Sequence, residues 1–206
     1  MNLNELFQSQ LSGGLLNQLG NIAGIENPQQ TETAAHAIFS TLMGAIGTNA
    51  STPDGANALN NALEKDHDGS ILDNLSGFLS GQNEAPNSNM LNGAGILGHI
   101  LGFKQGNLVN ALSQNTNLDS GKILKMMITL APVILGLLGK AKQQTGADAG
   151  GLTNIIGSVL GGQTGGSPLM GILTSVLDKN NDGNMLDDIL GGGIGGMLGG
   201  LFGGNK

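Results

Sequence analysis

Acidic side chains in two short loops are the residues of this sequence best suited to chemistry. Glu64-Lys65-Asp66-His67-Asp68-Gly69 and Asp178-Lys179-Asn180-Asn181-Asp182-Gly183 both place oxygen-bearing groups at loop positions 1, 3 and 5 and glycine at 6. This is the first half of the EF-hand spacing, where alternating oxygens reach one cation and the glycine permits the sharp turn. Position 8 is apolar in each, Ile71 and Met185, as in EF-hands. The second half departs from that pattern. Leu75 and Ile189 stand at position 12, where a bidentate acid belongs, while Asp73, Asp187 and Asp188 come early.

The candidate metal set is therefore Glu64, Asp66, Asp68 and Asp73 in the first loop and Asp178, Asn180, Asp182, Asp187 and Asp188 in the second. The ion they suit is Ca2+ rather than Mg2+, since nothing implies a phosphate substrate. A second reading stays open. Asp-Gly is a common turn, Asp68 and Asp182 can cap the helices that follow, and Ser70-x-x-Asp73 has the spacing of a capping box.

The two loops are copies. Leu63–Gly77 and Leu177–Gly191 match at seven of fifteen positions, and glycine bias alone would not match Lys, Asp and Leu as well. Each copy reads as a helix end, an acidic turn and a new helix. Gathering acids this way costs stability unless a cation or a helix N-terminus compensates.

Other chemistry is sparse. His36 and His99 fall in apolar helical stretches, where a core or boundary imidazole is the simpler reading, and His67 in the acidic turn reads as solvated. There is no Cys, no HExxH and no His pair at helical spacing, so zinc is not expected. No GxSxG elbow is present. Gly191-x-Gly193-x-x-Gly196 matches a dinucleotide fingerprint only because glycine is dense there, and no strand precedes it.

The elements that position these groups read as all-α, because apolar residues recur at helical spacing and alternating β-branched runs are absent. Thr31 is a candidate cap for a helix to about Thr48, and further helices are predicted over Pro53–Glu64 and Ser70–Leu79. Ser80–Leu91, with Pro86 and three Asn, reads as a linker. Beyond it, Ile96, Leu97, Ile100, Leu101 and Phe103 share a predicted face, and a short helix begins at Gly106. Asp119 or Ser120 caps a stretch from Ile123 to Leu138 that is apolar all round. Only fourteen residues separate Lys125 from Lys140, whereas a bilayer core needs about 20. The stretch is therefore predicted to be a buried central helix, kinked at Pro132. Leu152, Ile155, Ile156, Val159 and Leu160 mark another amphipathic helix, and Pro168 opens one more.

Glycine supplies 37 of the 206 residues, far above the background of about 7%. It is not collagen, for no three-residue period exists. In the tail, Gly192, Gly196, Gly200 and Gly204 lie opposite Ile194, Met197, Leu198, Leu201 and Phe202, a pattern that suits close helix approach, while glycine this dense reads first as a flexible, disordered C-terminus. All eight basic residues are Lys and the net charge is −7, so nucleic acid is not an expected partner. The N-terminus lacks the basic start and apolar run of a secretion signal, which predicts a cytoplasmic location.

Three blocks, DHDGSILDNLSGFLSG, GAGILGHILGFKQGNLVNALSQNTNLDSGKI and MMITLAPVILGLLGKAKQQTG, resemble the YidB-like family of bacterial proteins, a domain of unknown function. The likeness runs from about Thr31 to Gly162, with GILGHILG and LAPVILGLLGK its most specific parts. It implies a multihelical fold and a bacterial origin, and it brings no assigned reaction. The second acidic loop and the Gly-rich tail look like additions to that pattern.

The expected architecture is an all-α bundle around the helix at about 120–140. Its parts are 1–81, a linker at 82–92, 93–190, and a Gly-rich tail at 191–206. The expected function is non-enzymatic and rests on homo-oligomerisation or a protein partner, with Ca2+ stabilising the acidic loops. One rival is an envelope-associated structural protein anchored in a membrane by its Gly-rich tail. The other is a hydrolase, which would require His36 or His99 to line a polar cleft beside an acid.

Overall fold

The computed structural model describes residues 3–11, 14–81 and 91–161. All regular structure among them is helical: α1 (Leu3–Gln10), α2 (Gly14–Ala23), α3 (Pro28–Ala50), α4 (Pro53–Lys65), α5 (Leu75–Leu79), α6 (Gly93–Leu101), α7 (Gln105–Thr116), α8 (Ser120–Thr145) and α9 (Ala149–Gly161). Two 3-10 turns, Ser70–Asn74 and Gly102–Lys104, lead into α5 and α7. The all-α bundle expected from the sequence is what forms.

At its centre α3 and α8 pack against each other; α1, α2, α4, α6, α7 and α9 each lean on at least one of them, and the short α5 packs on α2. α8 was expected there. It is buried continuously from Leu130 to Gly139 and runs through Pro132 as one helix. By length and composition alone it could cross a membrane, with a mean hydropathy of 1.7, yet two-thirds of that stretch is buried against the rest of the protein.

That α3 is a second central helix is less evident in the sequence. Nearly all of it from Ala34 to Thr48 is buried, yet many of those residues are Ala, Gly, Ser or Thr. The hydroxyls are accommodated by bonding back along the helix: Ser40 to the carbonyl of His36, Thr41 to Ala37 and Thr48 to Gly44. A backbone acceptor one turn earlier lets a polar side chain sit in a core without an unmet hydrogen bond.

Local chemistry sets the helix ends. α3 starts at Pro28 and not at Thr31, because Asn27 is extended and its Oδ1 accepts from the N–H of Gln29 at 3.0 Å. Thr31 is instead a buried first-turn residue whose hydroxyl donates to the Asn27 carbonyl. Thr52 caps α4 through the N–H of Gly55. The single helix expected over Ser70–Leu79 is divided. Gly69 enters at φ 100°, which only glycine adopts readily, and Asn74 leaves helical geometry to cap α5 through Gly77.

α1 and α2 are short elements that no strong periodicity announces. They are held by Leu3, Phe7, Leu19 and Ala23 in the shared core. Phe7 stacks on Phe39 at 4.2 Å and meets the His36 ring edge-on at 5.6 Å. Residues on both sides of 82–92 belong to one hydrophobic cluster, and most of that linker segment lies outside the described residues.

Candidate functional site

The first acidic loop connects α4 to the 3-10 turn and sits on α8. Two glycines of α8 make the seat: a Cβ at Gly139 would run into the backbone carbonyl of His67, and one at Gly136 into the Ile71 side chain. Gly69 in turn rests against Cβ of Lys140 at 2.9 Å from where its own Cβ would be. Glycine here serves close approach of backbone to helix, as the sequence pattern anticipates for its Gly-rich helices.

The four acids of this loop do not converge. Glu64 Oε1 accepts from Lys142 Nζ at 2.6 Å and from Asn60 Nδ2 at 3.1 Å. These bonds hold its carboxyl below the usual range, that from Lys142 foremost. Asp68 accepts from Ser70, and those bonds lower its pKa too. Asp73 pairs with Lys140 at 3.8 Å, and Asp66 lines a cleft on the other side of the loop. Among the described residues no three His, Asp or Glu side chains are grouped to hold a metal ion. Asp178, Asn180, Asp182, Asp187 and Asp188 lie outside the described residues, as do the helix expected from Pro168 and the Gly-rich tail.

His67 differs from its expectation. It is 4% exposed rather than solvated, because the turn that carries it is pressed onto Gly139. Burial lowers its pKa, with Asp66 and Asp68 opposing, so the ring is neutral at pH 7. Its Nδ1 is buried with no hydrogen-bond partner, a state that costs free energy until something supplies a bond. His36 is half-buried and its pKa is likewise lowered by burial, with Glu32 opposing.

The cleft beside His67 has a volume of about 700 Å³, within the 300–1,000 Å³ usual for small-molecule sites. Ile46, Leu59, Ile96, Ile100 and Leu135 give it apolar walls, and Asn49, Asp66, His67, Asn92 and His99 supply polar groups. Two of these are positioned by structural bonds. Asn49 Nδ2 donates to the Ile100 carbonyl at 2.8 Å, and Asn92 Oδ1 accepts from Gly95 N at 2.9 Å as the cap of α6. His99 is exposed on α6 and, with Asp66, lines this cleft, so the arrangement required for the hydrolase reading is partly met. No Ser, Thr or Cys is among the described lining residues, which leaves it without a side-chain nucleophile for acyl transfer.

A smaller hollow of about 290 Å³ adjoins the cleft through Asn49, His99 and Ile100, and Phe103 forms one wall. Phe103 does not share the buried face of α6: it is 96% exposed. Gly102, at φ 53° and ψ −132°, ends α6 and swings the next residue outward on a 3-10 turn. Sequence reasoning passes over Asn49 and Asn92 as lining residues of these hollows, and it places Phe103 on the wrong face.

A family model described as a bacterial protein of unknown function, DUF937, matches residues 5–141. The chain belongs to the DUF937 family. Neither a curated protein nor a solved structure matches it. The DUF937 region spans the first acidic loop, the whole described lining of the cleft and Phe103, whereas α9 and the second acidic loop fall after it. The match agrees with the family likeness read from the helical blocks.

Proposed function

We propose that this protein works by association rather than catalysis, and that Phe103 anchors a self-association surface. The observation that carries the reading is the 96% exposure of a Phe on a 3-10 turn, beside an apolar hollow. Burying such a ring is worth about 1.5–3 kcal/mol, and aromatic anchors dominate contact energies between proteins. In a twofold pair the same patch meets itself, so each Phe103 comes over the hollow of the other copy.

The first loop's geometry gives calcium less support than capping. Glu64 and Asp73 are already compensated by Lys142 and Lys140, and Asp68 caps the turn, so an incoming ion would have to displace them.

Light scattering after size exclusion, over a range of concentrations, tests the reading. Native protein should rise above the 20.8 kDa of one chain as concentration increases, and Phe103→Ser should stay at that mass. A native protein that is monomeric throughout, or a variant that associates equally well, overturns it. Parallel runs with Ca2+ and with a chelator should coincide. A calcium-dependent mass would return the ion to the account.

A further inference from the structure

We propose that the cleft around His67 binds a small apolar molecule bearing an uncharged or cationic polar head. The volume of about 700 Å³ suits one such ligand. Its walls are Ile and Leu side chains, and its one formally charged lining residue is Asp66, with no Lys among the described lining. That balance repels an anion and accepts a neutral or positive head. His67 supplies the second, independent observation. It is almost wholly buried, it lines the cleft, and its Nδ1 lacks a partner. A ligand whose head bonds to this neutral imidazole would recover the free energy that burial of the unpaired nitrogen costs. Asn49 and Asn92 border the same space, each with one end of its amide committed to backbone, so both are held in place to meet a polar group.

The site is separate from association through Phe103, which does not line the main cleft. Titration with Nile red, an uncharged apolar dye, should saturate at one site per chain with a blue-shifted emission. Anilinonaphthalene sulfonate, an anion, should bind at least about tenfold more weakly. Ala58 is exposed and lines the cleft, so Ala58→Trp should fill it and weaken Nile red by about tenfold or more while leaving the helical circular dichroism intact. The His67 ring nitrogens should shift in NMR spectra when Nile red is added.

Phe103→Ser, whatever it does to association, should leave Nile red binding unchanged. The proposal is overturned if Nile red does not saturate, if Ala58→Trp or the His67 resonances show no effect, or if the sulfonate binds as well. Loss of dye binding in Phe103→Ser would overturn it too, by moving the site to an interface between copies.

Discussion

The two faces of the turn at His67 are built on opposite terms. Toward α8, the acidic loop is fully compensated: Lys142 answers Glu64, Lys140 answers Asp73, Gln143 Nε2 bonds the Asp68 carbonyl at 2.9 Å, and glycines bring the backbones into contact. Toward α6, the groups are left wanting: an imidazole nitrogen has no partner and an open cleft stands beside it, with Phe103 bare to solvent nearby. Charged residues therefore mark the structural side, and the side with ligand-binding character is mostly apolar. Density of acids is a poor guide to function when lysines on a neighbouring helix meet them, because polar groups that are already satisfied have little to offer a ligand.

The sharpest way to break this contrast is to fill the structural side. Gly139→Leu would place carbon where the His67 carbonyl lies and should cost about 3 kcal/mol or prevent folding, read by urea denaturation. If that variant were as stable as the native protein, the loop would not be seated as described.

Acid should reveal the buried rings next. His67 and His36 have folded-state pKa values lowered by burial, so the unfolded chain takes up protons first. Their contribution is complete above pH 6.5, the ordinary value, and is lost as pH falls below it toward their folded values. The melting temperature should drop between pH 7 and pH 5.5, and His67→Gln should flatten that part of the curve. A further loss should begin below about pH 4.5, as Glu64 and Asp68, whose values are lowered by their bonds, become protonated.

Gly98 provides a smaller effect of opposite sign. It lies on α6 with open space where a Cβ would stand, so Gly98→Ala should stabilise by about 0.5–1 kcal/mol in the same urea assay. Glycine is then required where backbones touch, as at Gly139, or where φ is positive, as at Gly69 and Gly102, and not at an open helical position such as this one.

The smallest effect belongs to the ion pairs. Glu64→Gln should lower the melting temperature slightly at low ionic strength, and the difference should vanish in 1 M salt. A difference that persisted in high salt would give this loop more than a surface role.

Much of the helical framework is legible without coordinates, since the α4, α8 and α9 periodicities, the Pro53 start of α4 and the Asp119–Ser120 start of α8 are local signals. α3 was underestimated because its burial depends on small and hydroxyl residues, whose apolar character appears only when their polar atoms bond back along the helix. The acidic loop was legible as a helix junction, and its lysine partners, some 70 residues away, were not. His67 was misplaced for the same reason: flanking acids suggested water, and the glycine seat on α8 that buries it is remote in sequence.

By itself, then, the sequence determined that this chain is a bundle of thin, glycine-bearing helices around one apolar helix, because periodicity and capping act within a few residues of themselves. Tertiary structure alone decided which acids are neutralised, which histidine loses its solvent and which phenylalanine keeps it. Those outcomes depend on what a distant segment brings to the same place: a lysine, a glycine's missing side chain, or nothing at all.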